Sequence, residues 1–97
     1  MGVRHAREYS DILKDLTEAV GQIKDRYTFF EMEYVEWYSL STDEQYEVLE
    51  ALADDVFYGL GEDSTIEVGS GLVHYNKEQH IIEVVQNEQV IQIVRLI

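Results

Sequence analysis

The 97-residue sequence has no cysteine, no proline and, from Thr28 to Asp63, no lysine or arginine. Without cysteine there are no disulfides, no thiolate metal sites and no thiol nucleophile, so covalent stapling and thiol redox chemistry are excluded. Without proline the bends fall to six glycines and to Asn and Asp, and one source of slow folding is gone. Long apolar runs are missing too: none approaches the roughly 18 to 20 residues that span a bilayer. The opening MGVRHAREYS holds no apolar signal-peptide segment. A cytoplasmic protein with no membrane partner is therefore expected. There is no internal repeat, nucleophile elbow, phosphate loop or zinc-ligand spacing.

The scarcity of bases is uneven. Residues 1–27 carry five basic and five acidic side chains, residues 28–63 none and eleven, and residues 64–97 two and four, for a formal net charge of −13. A field of this sign opposes direct binding of nucleic acid or anionic membrane, because phosphate contacts require Lys and Arg. It favours a basic protein surface. Acids in such numbers also keep a small domain soluble, which is the plainer explanation for many of them.

What the sequence does have is a concentrated middle: Tyr27 to Asp63 holds nine of the eleven aromatics and eleven of the twenty acids. Around it, at this length, one domain is expected over residues 1–97, with residues 1–8 lacking periodicity and fraying. Tyr9, Leu13, Leu16, Val20, Ile23 and Tyr27 recur in steps of four and three, which predicts an amphipathic helix whose stripe is widened by Ile12 and Ala19. In 28–36, Thr28, Phe30, Met32 and Tyr34 alternate with Phe29, Glu31, Glu33 and Val35, and the richness in β-formers favours a strand. A helix would instead group Phe30, Tyr34, Trp37 and Tyr38.

A second helix starts near Ser41, because Ser41 with Glu44, or Thr42 with Gln45, forms a capping box. Tyr46, Leu49, Leu52, Ala53, Val56, Phe57 and Leu60 give its apolar stripe, and Gly59 and Gly61 are candidates for the left-handed residue that ends it. The remainder reads as a meander over 65–68, 72–75, 80–86 and 89–96, turning at Gly69-Ser70, Asn76 to Gln79 and Asn87-Glu88. Pairing Tyr75 with His80 and Gln86 with Gln89 places Ile66, Val68, Val73, Tyr75, Ile82, Val84, Ile91 and Ile93 on one face. Leu72, His74, Ile81, Val85, Val90, Val94 and Leu96 fall on the other. Neither face is polar, so both are expected to be covered, the second by another copy in a homodimer formed through this sheet. The expected fold is α+β: two amphipathic helices packed on a three- to five-stranded antiparallel sheet, in the order helix, strand, helix, meander.

Chemistry finds little to stand on. His74 and His80 flank one hairpin but fall on opposite faces, so no metal site is expected, and no residue is assigned a catalytic role or a cofactor. Gly69-Ser70-Gly71 lacks the Lys and the helix of a phosphate loop and reads as a turn. Asp54, Asp55, Glu62 and Asp63 gather at the C-terminal end of the second helix, where the helix dipole prefers cations. With Glu47 and Glu50 on the polar side of the helix and Tyr38 and Tyr58 near its ends, they form the expected partner-binding set. Trp37 is expected in the core.

The function expected is that of a non-enzymatic protein-interaction domain, an inhibitor, adaptor or immunity-like protein that meets a basic protein surface through its acidic and aromatic face. Two alternatives are a homo-oligomeric assembly subunit and a nucleic-acid mimic that blocks a DNA- or RNA-binding enzyme. For the latter, the order of elements and the acidity are similar in layout to the phage inhibitors of uracil-DNA glycosylase, an analogy of form.

Overall fold

The computed structural model describes residues 2–97. It is an α+β fold. Helix α1 spans Tyr9–Val20, a 3-10 helix Arg26–Phe30, α2 Tyr34–Ser39 and α3 Thr42–Gly59, followed by strands β1 (Thr65–Val68), β2 (Gly71–Asn76), β3 (Ile81–Gln86) and β4 (Gln89–Arg95). The four strands form an antiparallel meander in chain order. Among the described residues no helix is long and apolar enough to cross a membrane.

The apolar stripe of α1 buries Ile12, Leu16, Ala19 and Val20 against Leu52, Ala53, Val56, Phe57 and Leu60 of α3 and one face of the sheet. Thr17, the one buried polar side chain among the described residues, donates its hydroxyl to the Leu13 carbonyl at 2.6 Å, so its burial leaves no unpaired donor. Helix α3 begins as its sequence dictates. The Glu44 amide donates to Ser41 Oγ at 3.2 Å and the Ser41 amide to Glu44 Oε1 at 2.9 Å. Gln45, free of that box, donates from Nε2 to the Trp37 carbonyl at 3.0 Å and ties α2 to α3.

Four expectations are corrected. The 28–36 segment is not a strand: it divides into the 3-10 helix and the start of α2, separated at Glu31 by a left-handed turn with φ 58°. Glu33 and Glu36 cap α2 reciprocally, and Trp37 turns inward to complete burial. The layout analogy with the glycosylase inhibitors, which needed that strand, goes with it. Neither Gly59 nor Gly61 is left-handed. Leu60 ends α3 in right-handed geometry, and Gly59 is small because Ile66 of β1 lies against it, with Cδ1 2.6 Å from where a Cβ would sit.

The sheet register differs as well. Tyr75 faces Ile82 rather than His80, which lengthens the turn but preserves the faces of β2 and β3. Gln86 pairs with Gln89 as expected, but a bulge between Val84 and Val85 makes Gln92 the partner of Val84 and Val90 that of Val85. The extra residue, Ile91, reverses the phase of the rest of β4. Val94 and Leu96 therefore point into the core and are buried, while Ile93 faces out and is half exposed. Finally, residues 2–8, expected to fray, lie along the chain end. Val3 is buried, the amides of Ala6 and Arg7 both donate to the Leu96 carbonyl at 2.8 and 3.1 Å, and the Arg4 amide donates to the Tyr75 hydroxyl.

All the buried residues of the sheet, Val68, Gly71, Val73, Tyr75, Ile82, Val84 and Val94, belong to its helix-facing side. The opposite side carries Leu72, Ile81 and Val85, half-buried, and Val90 and Ile93, exposed, among Glu67, His74, Glu83 and Arg95.

Candidate functional site

Glu47, Glu50, Asp54 and Tyr58 occupy positions i, i+3, i+7 and i+11 of α3, so they line one face over about 17 Å of helix. Asp55 lies one step round the helix, and Glu62 and Asp63 follow in the turn beyond Leu60. All except Asp54 are exposed. Glu47, Glu50 and Asp54 border a shallow hollow of about 340 Å³ whose apolar floor is made by Leu13 of α1 and Ala51. The turn amides of Glu62 and Asp63 each donate to the Gly59 carbonyl at 3.0 Å, which satisfies the end of the helix without any basic side chain.

Asp54 has a different role from its neighbours. It accepts a hydrogen bond from the Tyr9 hydroxyl and so joins α3 to α1. Burial of the Tyr9 ring edge, then this bond and the charges of Asp54 and Glu50, push the Tyr9 hydroxyl well above the ordinary tyrosine range. Tyr9 in turn packs edge-on to Phe57 at 5.0 Å and beside Tyr58 at 6.0 Å. The conflict between acids and dipole at this helix end is therefore partly relieved from within the molecule, by a phenol rather than a cation.

No acid of this face takes part in an ion pair among the described residues. The one ion pair among them, between Arg7 and Asp15 at 2.9 Å, ties the segment before α1 to that helix. Among those residues, too, no three His, Cys, Asp or Glu side chains converge to hold a metal ion. His74 is engaged on the outer face of the sheet with Thr65 Oγ1 at 2.9 Å, and His80 sits exposed in the β2–β3 turn with φ 56°.

Tyr38 stands apart from this set. Sixteen residues of helix separate Thr42 from Tyr58, about 24 Å of rise, and Tyr38 precedes the first of them. It belongs to an aromatic cluster built from the 3-10 helix and α2. Tyr34 and Tyr38, one turn apart on α2, have ring centroids 4.5 Å apart, and Tyr27 meets Tyr38 edge-on at 6.4 Å and stacks on Trp37 at 5.9 Å. Trp37 is fully buried, as its size and position led one to expect, yet it packs in this cluster instead of the main core. The Arg26 guanidinium lies over its ring, 5.1 Å from the centroid. Trp37 Nε1 and Arg26 Nε are both buried without a hydrogen-bond partner.

The cluster is locked to the sheet through Asp25. Its Oδ1 accepts from the Ser70 amide and hydroxyl, each at 2.8 Å, and its backbone and carboxyl crowd Gly69, whose φ of 57° and missing Cβ the turn requires. Burial raises the Asp25 carboxyl, but the two Ser70 hydrogen bonds, helped by Lys24, outweigh it and hold the group below the usual carboxylate range. A contact between residues 25 and 70 leaves no local trace in a sequence. The grouping of Tyr34 and Tyr38 does leave one, in the helical reading of 30–38. The expected partner-binding residues thus divide between the α3 face and this second patch. Compared with protein-family models, with curated proteins and with solved structures, the chain matches none of them.

Proposed function

We propose that this chain is a small protein-interaction domain that binds a basic protein surface and acts by occupancy rather than by chemistry, as an inhibitor, adaptor or immunity-like protein. The observation that carries this reading is the acidic face of α3: Glu47, Glu50 and Asp55 are exposed, and the one ion pair among the described residues lies elsewhere. Opposite charge across an interface steers encounter and selects partners. A cytoplasmic setting accords with the absence of cysteine. Affinity capture from the native host with mass spectrometry tests it. Basic proteins should be recovered, their capture should fall steeply as salt is raised, and Glu47→Lys, Glu50→Lys and Asp55→Lys together should abolish it. Capture that is indifferent to salt and to these reversals overturns the reading. Asp54 is left out because its bond to Tyr9 makes it part of the fold.

A second reading, a homodimer through the sheet, is favoured by one specific feature: the helices cover one side, and Leu72, Val85, Val90 and Ile93 remain at least partly accessible on the other. The bulge in β4 disfavours simple edge-to-edge pairing, so face packing is the form to expect. Sedimentation at tens of micromolar should then give twice the monomer mass, and Ile93→Asp should return it to one. A monomer for the unaltered chain removes this reading and leaves the first intact.

A further inference from the structure

The patch that holds Tyr38 is a second place where a cation fits, and it is built differently from the α3 face. Lys24, Asp25, Tyr27, Tyr34, Tyr38 and Ser70 border a hollow of about 380 Å³. Three tyrosines contribute to its wall, and two of them are open to solvent: Tyr34 is 64% exposed and Tyr38 53%. An aromatic face carries negative potential and attracts a cation placed over it. Glu31, Glu33 and Glu36 neighbour these tyrosines in the sequence and are exposed, and no base occurs from Thr28 to Asp63. Lys24 at the rim offsets the charge of Asp25, so the attraction comes from the rings and from the acidic segment that carries two of them. The neighbouring Trp37 already holds the guanidinium of Arg26 in this way.

We infer that this hollow is the anchor site for an arginine side chain of the basic partner. The inference rests on the function proposed above and adds where the contact is fixed and by which residue type. Arginine suits the site better than lysine because its planar guanidinium stacks on a ring while its N–H groups reach a carboxylate in the same plane. The α3 face then supplies long-range attraction, and the tyrosine hollow supplies the geometry that distinguishes one cation from another.

Hexa-arginine and hexa-lysine peptides are the probes, titrated at physiological salt into the full chain and followed by amide NMR shifts. Variants are Tyr34→Ala with Tyr38→Ala, both largely exposed and checked for folding by circular dichroism, and Glu47→Lys with Glu50→Lys. The expected result is tighter binding of hexa-arginine than of hexa-lysine, shifts at Tyr27, Tyr34 and Tyr38, and about a tenfold weakening for arginine in the tyrosine variant with a smaller change for lysine. Unchanged hexa-arginine affinity in that variant overturns the inference. If the glutamate reversals abolish binding in the same series, the acidic-face function stands without the hollow. Failure of the unaltered chain to bind either peptide overturns both.

Discussion

The bond between Tyr9 and Asp54 shows how a residue chosen for its charge can prove to be structural. The carboxylate sits on the acidic face of α3, but its oxygen takes the hydroxyl of α1 and helps hold the two helices together. Because the Tyr9 hydroxyl is harder to ionise in the folded chain than in the unfolded one, the stability it contributes is complete below the unfolded tyrosine value of about 10 and declines as pH rises beyond it. Tyr9→Phe should therefore cost about 1 kcal/mol near neutral pH and flatten the loss of stability above about pH 10. Urea midpoints across that range measure both effects, and an unaltered alkaline limb would contradict the assignment. Trp37 offers a complementary case. Its ring is fully buried while its Nε1 has no partner, so Trp37→Phe, which keeps an aromatic ring and removes the unpaired donor, should cost about 1 kcal/mol, against about 3 to 5 for Trp37→Ala. Circular dichroism in urea reads the difference. Equal losses would mean that the indole nitrogen is not a burden.

At the scale of elements, what was legible in the sequence is what has a single period. The stripes of α3 and of α1 as far as Val20 have no competing pattern, although Ile23 and Tyr27, which continue the period of α1, fall beyond its end at Gly21, and the Ser41–Glu44 box marks the start of α3 unambiguously. The segment from Thr28 to Val35 has two patterns: its apolar residues alternate with period two, but Tyr34, Trp37 and Tyr38 also group at helical spacing, and packing of Trp37 against Tyr27 and Arg26 decides for helix. In β4 both phases are apolar, with Val90, Val94 and Leu96 on one and Ile91 and Ile93 on the other, so no periodicity locates the bulge. The aromatic hollow was hidden for a third reason, since the Asp25–Ser70 link that shapes it is non-local. The β3–β4 turn, which the sequence did mark, carries a testable imperfection. Asn87 and Glu88 both adopt the left-handed conformation, with φ 54° and 62°, and only the first is a residue type that tolerates it well. Glu88→Gly should stabilise the chain by about 1 kcal/mol and raise its melting temperature by roughly 4 to 8 °C; an unchanged or lower melting temperature would show that another contact holds Glu88 there.

For the molecule as a whole, the dominant property is a net charge of −13 distributed so that residues 28–63, which include α3, carry eleven acids and no base. Self-repulsion of this size works against the compact state and is reduced by salt or by a cationic partner. A chain whose acids only kept it soluble would respond to the amount of charge, whereas a binding face responds to its position. Two triple reversals with the same change in net charge separate these cases: Glu47→Lys, Glu50→Lys, Asp55→Lys on α3, and Glu67→Lys, Glu78→Lys, Glu88→Lys on the sheet and its turns, all six residues being exposed. The measurement is the affinity of each variant for hexa-arginine at physiological salt. Binding through the α3 face predicts a loss at least tenfold greater for the first variant than for the second; equal losses in the two would contradict it.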